Sequence, residues 1–69
     1  MNYRFSLHYS DAGSENLGGV ALHDDGEALA FGKQMIRDLM HEGAEQYAGC
    51  MMNITEGERA VGGISFEFQ

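Results

Sequence analysis

Sixty-nine residues, 43% of them hydrophobic and 22% charged, describe one globular domain over residues 1–69 and exclude a disordered chain. Eleven acidic residues against four basic ones give a formal charge of −7, which repels nucleic-acid phosphates and anionic lipid, so neither nucleic acid nor a membrane is expected as a partner. A single cysteine, Cys50, rules out an internal disulfide and a cysteine-rich zinc site.

Residues 2–10 place Tyr3, Phe5, Leu7 and Tyr9 on one side and Asn2, Arg4, Ser6 and His8 on the other, the period-2 pattern of a half-buried strand. This start lacks the apolar core of a signal peptide, and no run approaches the roughly 18 residues of a transmembrane helix, so the expected location is cytoplasmic. Ser10 to Asn16 is a cluster of turn formers that predicts a long hairpin loop. Gly18-Gly19 then lead into a short second strand, Val20-Ala21-Leu22.

Asp24 followed three residues later by Glu27 is a capping-box start, Asp25 adds negative charge to the first turn, and Gly43 supplies a stop, predicting a helix over 25–42. Projected at about 100° per residue, Ala28, Leu29, Phe31, Gly32, Met35, Ile36, Leu39 and Met40 fill one half, and Lys33, Arg37 and His41 lie in the other. Gly32 costs about 1 kcal/mol of helix propensity, which predicts close approach by a bulky aromatic such as Phe5 or Phe66.

After a loop through Ala44 to Gly49, Cys50, Met52 and Ile54 alternate with Met51, Asn53 and Thr55 in a third strand. Glu56-Gly57-Glu58-Arg59 reads as its turn. Ile64, Phe66 and Phe68 alternate with Ser65 and Glu67 in a fourth strand, with Gly62-Gly63 marking a bulge or bend. The β-β-α-β-β order predicts an α+β fold: a small two-layer sandwich in which one amphipathic helix lies on one face of an antiparallel four-stranded sheet, in order 2-1-3-4. Such a domain buries only about 60% of its unfolded surface and holds about 3–5 kcal/mol of stability unaided, so self-association is the simplest further support.

Tyr3-Arg4-Phe5, Asp11-Ala12-Gly13, Gly19-Val20-Ala21-Leu22-His23-Asp24 and Ala28-Leu29-Ala30 together resemble a family of short bacterial domains, most of them alphaproteobacterial. Its members open with an aromatic strand, pass an acidic-glycine loop, and continue into an alanine-rich amphipathic helix and a terminal hairpin. The resemblance spans nearly the whole chain and implies fold and bacterial origin; it carries no activity, because the family has no assigned catalytic or binding residues. Where members often have proline before the helix, this chain has His23. Where they have tryptophan or a charged residue leading into the third strand, it has Cys50-Met51-Met52. A more distant architectural likeness is to small acidic antitoxins with a β-β-α core that occlude a basic partner.

No set of side chains makes an enzyme. His41-Glu42-Gly43-Ala44-Glu45 matches the first part of a helical zinc-hydrolase signature, but Glu45 stands at the second histidine's position and Gly43 ends the helix between them. His23-Asp24-Asp25 is better read as a helix cap than as a cation site, and the Asp11 to Asn16 loop lacks the ligand spacing of a calcium loop. Cys50 at a strand start reads as a small buried apolar residue, and no serine occupies a nucleophile turn. Neither a metal nor another cofactor is expected.

Two surfaces are left. Arg4, Ser6, His8, Asn53 and Thr55, with Met51, Val61 and Ser65, gather on the sheet face away from the helix and offer a surface for a second copy or a protein partner. Lys33, Arg37 and His41 form an i, i+4, i+8 row on the helix exterior. The leading expectation is a non-enzymatic interaction or regulatory domain that forms a homodimer. Its alternatives are a small-molecule or metal-binding protein using His8 and the outward sheet face, or His23 and Asp24, and an acidic inhibitor of a basic partner.

Overall fold

A computed structural model of the chain describes residues 1–66: β1 (Asn2–His8), β2 (Ser14–Ala21), α1 (Asp25–Gly43), a 3-10 turn (Ala44–Tyr47), β3 (Met51–Glu56) and β4 (Arg59–Ser65). The sheet has four strands in the order β2-β1-β3-β4, every neighbouring pair antiparallel. On one face packs α1, which makes the α+β two-layer arrangement that the alternation and the helical periodicity predict. Glu67 and Phe68, assigned above to the fourth strand, lie outside the described residues.

Alternation becomes burial on the central strands. Tyr3, Phe5 and Leu7 from β1 and Met52 and Ile54 from β3 are at most 1% exposed, and Ala28 and Ile36 of α1 close over them. Phe5 meets Phe31 of the helix with ring centroids 5.3 Å apart, and Tyr47 stacks on Phe66 at 5.7 Å. The helix starts as its capping residues dictate: the Asp24 carboxylate accepts from the Glu27 amide at 2.8 Å, while Glu27 reaches back to the His23 amide at 3.3 Å.

Several expectations need correction. The long loop from Ser10 to Asn16 is a tight turn, closed by the Tyr9 amide donating to the Gly13 carbonyl at 2.8 Å, and β2 already begins at Ser14. Turn-forming side chains are tolerated there because an edge strand is held by its backbone ladder to β1 and asks little of side chains that face water. Leu17 is an extra residue in that ladder, since Phe5 faces Gly18 and Ser6 faces Asn16. Gly43 ends α1, yet the chain continues into the 3-10 turn, so Ala44 to Tyr47 is not an open loop.

The second hairpin turns through Gly57 (φ 61°) and Glu58, and β4 begins at once with Arg59. The irregularity foreseen at Gly62-Gly63 falls one residue earlier: Ile54 faces Gly62 while Thr55 faces Ala60, which leaves Val61 as the bulge. Val61 is therefore half-buried against the core and does not stand on the outward face. Gly32 does admit a close approach, but by aliphatic and thioether groups. A Cβ there would lie 3.0 Å from Ile54 Cδ1, 3.3 Å from Ile64 Cδ1 and 3.4 Å from Met52 Sδ.

Candidate functional site: the outward sheet face

Register decides which side chains share the uncovered face. Arg4 faces Thr55, Ser6 faces Asn53 and His8 faces Met51, so the three outward residues of β1 stand beside the three of β3. The pleat keeps them all on the side opposite the buried Phe5, Leu7, Met52 and Ile54. On the flanks Arg4 faces Gly19 of β2 and Asn53 faces Gly63 of β4. The rims are thus low beside Arg4 and Asn53, while Asn16, Ser14 and Ser65 occupy the rim beside Ser6, His8 and Met51. Met51, beside His8 at one end of this set, is a large apolar group 43% exposed.

Charge is distributed unevenly between the two faces. No described acidic residue occupies an outward ladder position: Asp11 lies in the first turn, Glu15 faces Leu7, Glu56 faces Arg59, Glu58 tips the second hairpin, and Asp24, Asp25, Glu27, Asp38, Glu42 and Glu45 belong to the helix layer. Among the described residues the one full charge on the face is Arg4, and it makes no ion pair with any of them. Beside it Asn2, Tyr3, Arg4, Gly19, Thr55 and Gly57 line an open concavity of about 390 Å³.

The helix row behaves differently. Lys33, Arg37 and His41 are all exposed, and none forms an ion pair among the described residues. His41 lies in the last turn of the helix. Next to this row Gln34 donates to Asp38 at 3.1 Å. The row shares a stripe as the projection required, but among the described residues no hydrogen bond or ion pair reaches it from another element.

The carboxylates of the candidate metal sites are engaged in local bonds. Asp24 spends its carboxylate on the cap, and His23, on the surface, sits with Nδ1 3.3 Å from Glu27 Oε2. Asp11 closes a local turn by accepting from the Gly13 amide at 3.0 Å. Among the described residues no group of three or more His, Cys, Asp or Glu side chains is gathered for a metal, and no helix is long and apolar enough to cross a membrane.

One polar cluster was not anticipated. Arg59 holds Asp25 with two nitrogens and Glu56 with Nε and Nη2, and the Tyr3 hydroxyl donates to Asp25 Oδ1 at 2.8 Å. The Arg59 and Tyr3 bonds hold the Asp25 carboxyl down to about 2, while burial and then the Asp25 carboxylate push the Tyr3 phenol up to about 12. The two acids raise the Arg59 guanidinium further still. An inward tyrosine at the helix-start end of the sheet was the available signal, because a buried phenol needs an acceptor. One guanidinium shared by two carboxylates, with the Tyr3 hydroxyl on one of them, braces three elements.

No family model, curated protein or solved structure matches the chain. The β-β-α-β-β order of the bacterial family it resembles is the order found.

Proposed function

We propose that this chain is a non-enzymatic interaction domain that pairs with a second copy of itself through the outward sheet face, and that it belongs with the bacterial domains it resembles. The observation that carries the reading is the absence of described acidic side chains from that face in a chain of net charge −7. Two such copies repel through most of their surfaces. The outward face is the broad surface on which they can approach without bringing described carboxylates together, and it offers hydrogen-bonding Ser6, Asn53 and Thr55 with the apolar Met51 at one end. We take it to act in the cytoplasm, where an unpaired thiol such as Cys50 stays reduced.

Area sets the strength of the pairing. Four strands about 4.8 Å apart and about 23 Å long present roughly 440 Å² per copy, or about 900 Å² in all. That falls below the roughly 1,600 Å² of a standard stable interface, so the expected state is monomer–dimer exchange at micromolar to millimolar concentration. Sedimentation velocity over that range tests it. Ser6→Asp with Asn53→Asp places two carboxylates at the centre of each face, doubled across the pair, and should leave a folded monomer. A wild-type chain that stays monomeric at about 1 mM, or a double variant that associates as wild type does, contradicts the reading.

The Arg4 concavity favours a second reading, a site for a small anion such as a carboxylate or phosphate. A guanidinium with no ion pair among the described residues, in a concavity it shares with Asn2, Thr55 and two glycines, suits that chemistry. Titration with phosphate and citrate, followed at the Gly19 and Thr55 amides, should saturate in the wild type and fail in Arg4→Gln; equal shifts in both would count against the site.

A further inference from the structure

One helix cannot cover four strands. An α-helix is about 10 Å wide and this sheet about 19 Å, and α1 lays its backbone over β3 and β4. Side chains of α1 reach across to seal β1, but between α1 and the edge strand β2 a groove of about 230 Å³ is left open, lined by Leu17, Met35, Leu39, Asp38 and Glu42. Leu17 reaches it as the extra residue of the β2 bulge. Phe31, Met35 and Leu39 recur at i, i+4 and i+8 along this flank of the helix. Phe31 is 37% exposed although it touches Phe5, and Leu17, Met35 and Leu39 are half-buried.

Charge sorts the two flanks of α1. Asp38 and Glu42 stand on the groove's rim, and neither is neutralised by a cation among the described residues; the partner of Asp38 is the neutral Gln34. The helix cations Lys33 and Arg37 project to the other flank. A second copy of this chain, at −7, suits such a rim poorly. An added strand is also disfavoured, because the bulge at Leu17 and the polar Glu15 and Asn16 interrupt the free edge of β2.

We propose that the groove between β2 and α1 is a docking site for a basic amphipathic helix of another protein, which would lie alongside α1, set its apolar stripe against Leu17, Phe31, Met35 and Leu39, and turn its lysines or arginines toward Asp38 and Glu42. This site lies on the opposite side of the sheet from the self-pairing face and does not depend on it. The bound helix would complete the second half of the helical layer, as the apolar ridges of neighbouring helices interlock about 8–10 Å apart.

The test uses the full chain and three synthetic peptides of about 18 residues, long enough to hold helix on a surface. One carries a leucine stripe flanked by lysine, one the same stripe flanked by glutamate, and one the lysine composition scrambled to destroy the stripe. Amide and methionine-methyl shifts map the contact, and anisotropy reads affinity. The lysine-flanked helix should bind with shifts centred on Leu17, Phe31, Met35 and Leu39, and weaken as salt is raised. Asp38→Lys with Glu42→Lys, both at exposed positions, should cost it about tenfold or more while leaving the fold's spectrum intact. The proposal is overturned if that peptide does not bind at about 1 mM, if the glutamate-flanked or scrambled peptide binds as well, or if the shifts map to the outward sheet face.

Discussion

Arg59 closes two guanidinium nitrogens on the carboxylate of Asp25, Nη1 on Oδ2 at 2.9 Å and Nη2 on Oδ1 at 2.8 Å, and so ties the second hairpin to the first turn of the helix across 34 positions of sequence. The bond holds the Asp25 carboxyl at about 2, below its ordinary 3.8. A carboxyl depressed by folding stabilises the fold fully above its ordinary value and loses that contribution as pH falls through the lower one. Stability should therefore drop between about pH 4 and pH 2, and Asp25→Asn should flatten that limb in urea melts taken along the pH series. Both side chains are nearly half exposed, so screening by water keeps the effect modest. Superimposable acid limbs in the two proteins would show that folding does not hold this carboxyl down.

Tyr3 predicts the opposite limb. Its phenol is raised from 10.0 to about 12, first by burial and then by donating to Asp25, so the neutral form is the one that folding favours. Its contribution is whole below pH 10 and is lost as pH climbs through about 12. In an ultraviolet titration Tyr3 should ionise above pH 10, together with unfolding, and Tyr3→Phe should remove that step. A Tyr3 phenol that ionises near 10 in a folded chain would refute it.

These two residues mark where sequence reading works and where it stops. The inward set of Tyr3, Phe5 and Leu7 with Met52 and Ile54 was legible because alternation is a property of neighbours along one strand. The Asp24 cap was legible for the same local reason. The Asp25–Arg59 bond joins distant side chains, and only the need of an inward Tyr3 for an acceptor hinted at it. The β2 strand was misplaced because Ser14, Glu15 and Asn16 have turn-forming side chains on a backbone that β1 holds extended. The outward residues Arg4, Ser6, His8, Asn53 and Thr55 could be picked out one strand at a time. That no described acid joins them became visible only with all four strands in register.

Cys50 is 3% exposed, and burial pushes its thiol up, with Asp11 adding to the shift. Little thiolate exists at neutral pH and the sulfur is screened from reagents. Alkylation by iodoacetamide should run through opening of the fold. With about 3–5 kcal/mol of stability, the native rate should fall on the order of a hundredfold or more below the rate in urea. Rapid native alkylation would mean that the β3 start opens independently.

Gly32→Ala sets two effects of opposite sign against each other. Alanine returns about 1 kcal/mol of helix propensity. Its methyl would arrive 3.0 Å from Ile54 Cδ1 and 3.4 Å from Met52 Sδ, and both of those side chains are fully buried with little room to recede. Overfilling a packed core costs about 1–3 kcal/mol, so the variant should be less stable by about 1 kcal/mol in chemical denaturation. A gain in stability would reveal slack beneath the helix.

Ala12 holds a left-handed backbone, φ 75°, in the turn that joins β1 to β2, whereas the other positive-φ positions, Gly18, Gly49 and Gly57, are glycines. For a residue with a Cβ that conformation costs about 1–2 kcal/mol. Glycine removes the clash but gives the unfolded chain more freedom, which returns about 0.5–1 kcal/mol of the gain. Ala12→Gly should therefore stabilise the domain by about 0.5–1 kcal/mol, or a few degrees in Tm for a chain of this length. Ala12→Val, whose branched Cβ fits the left-handed region worse, should destabilise it. The opposite signs of the two variants are the test. If both lower the melting temperature, the turn does not carry this strain, and the close hydrogen bond from Tyr9 to Gly13 must be held by the strands alone.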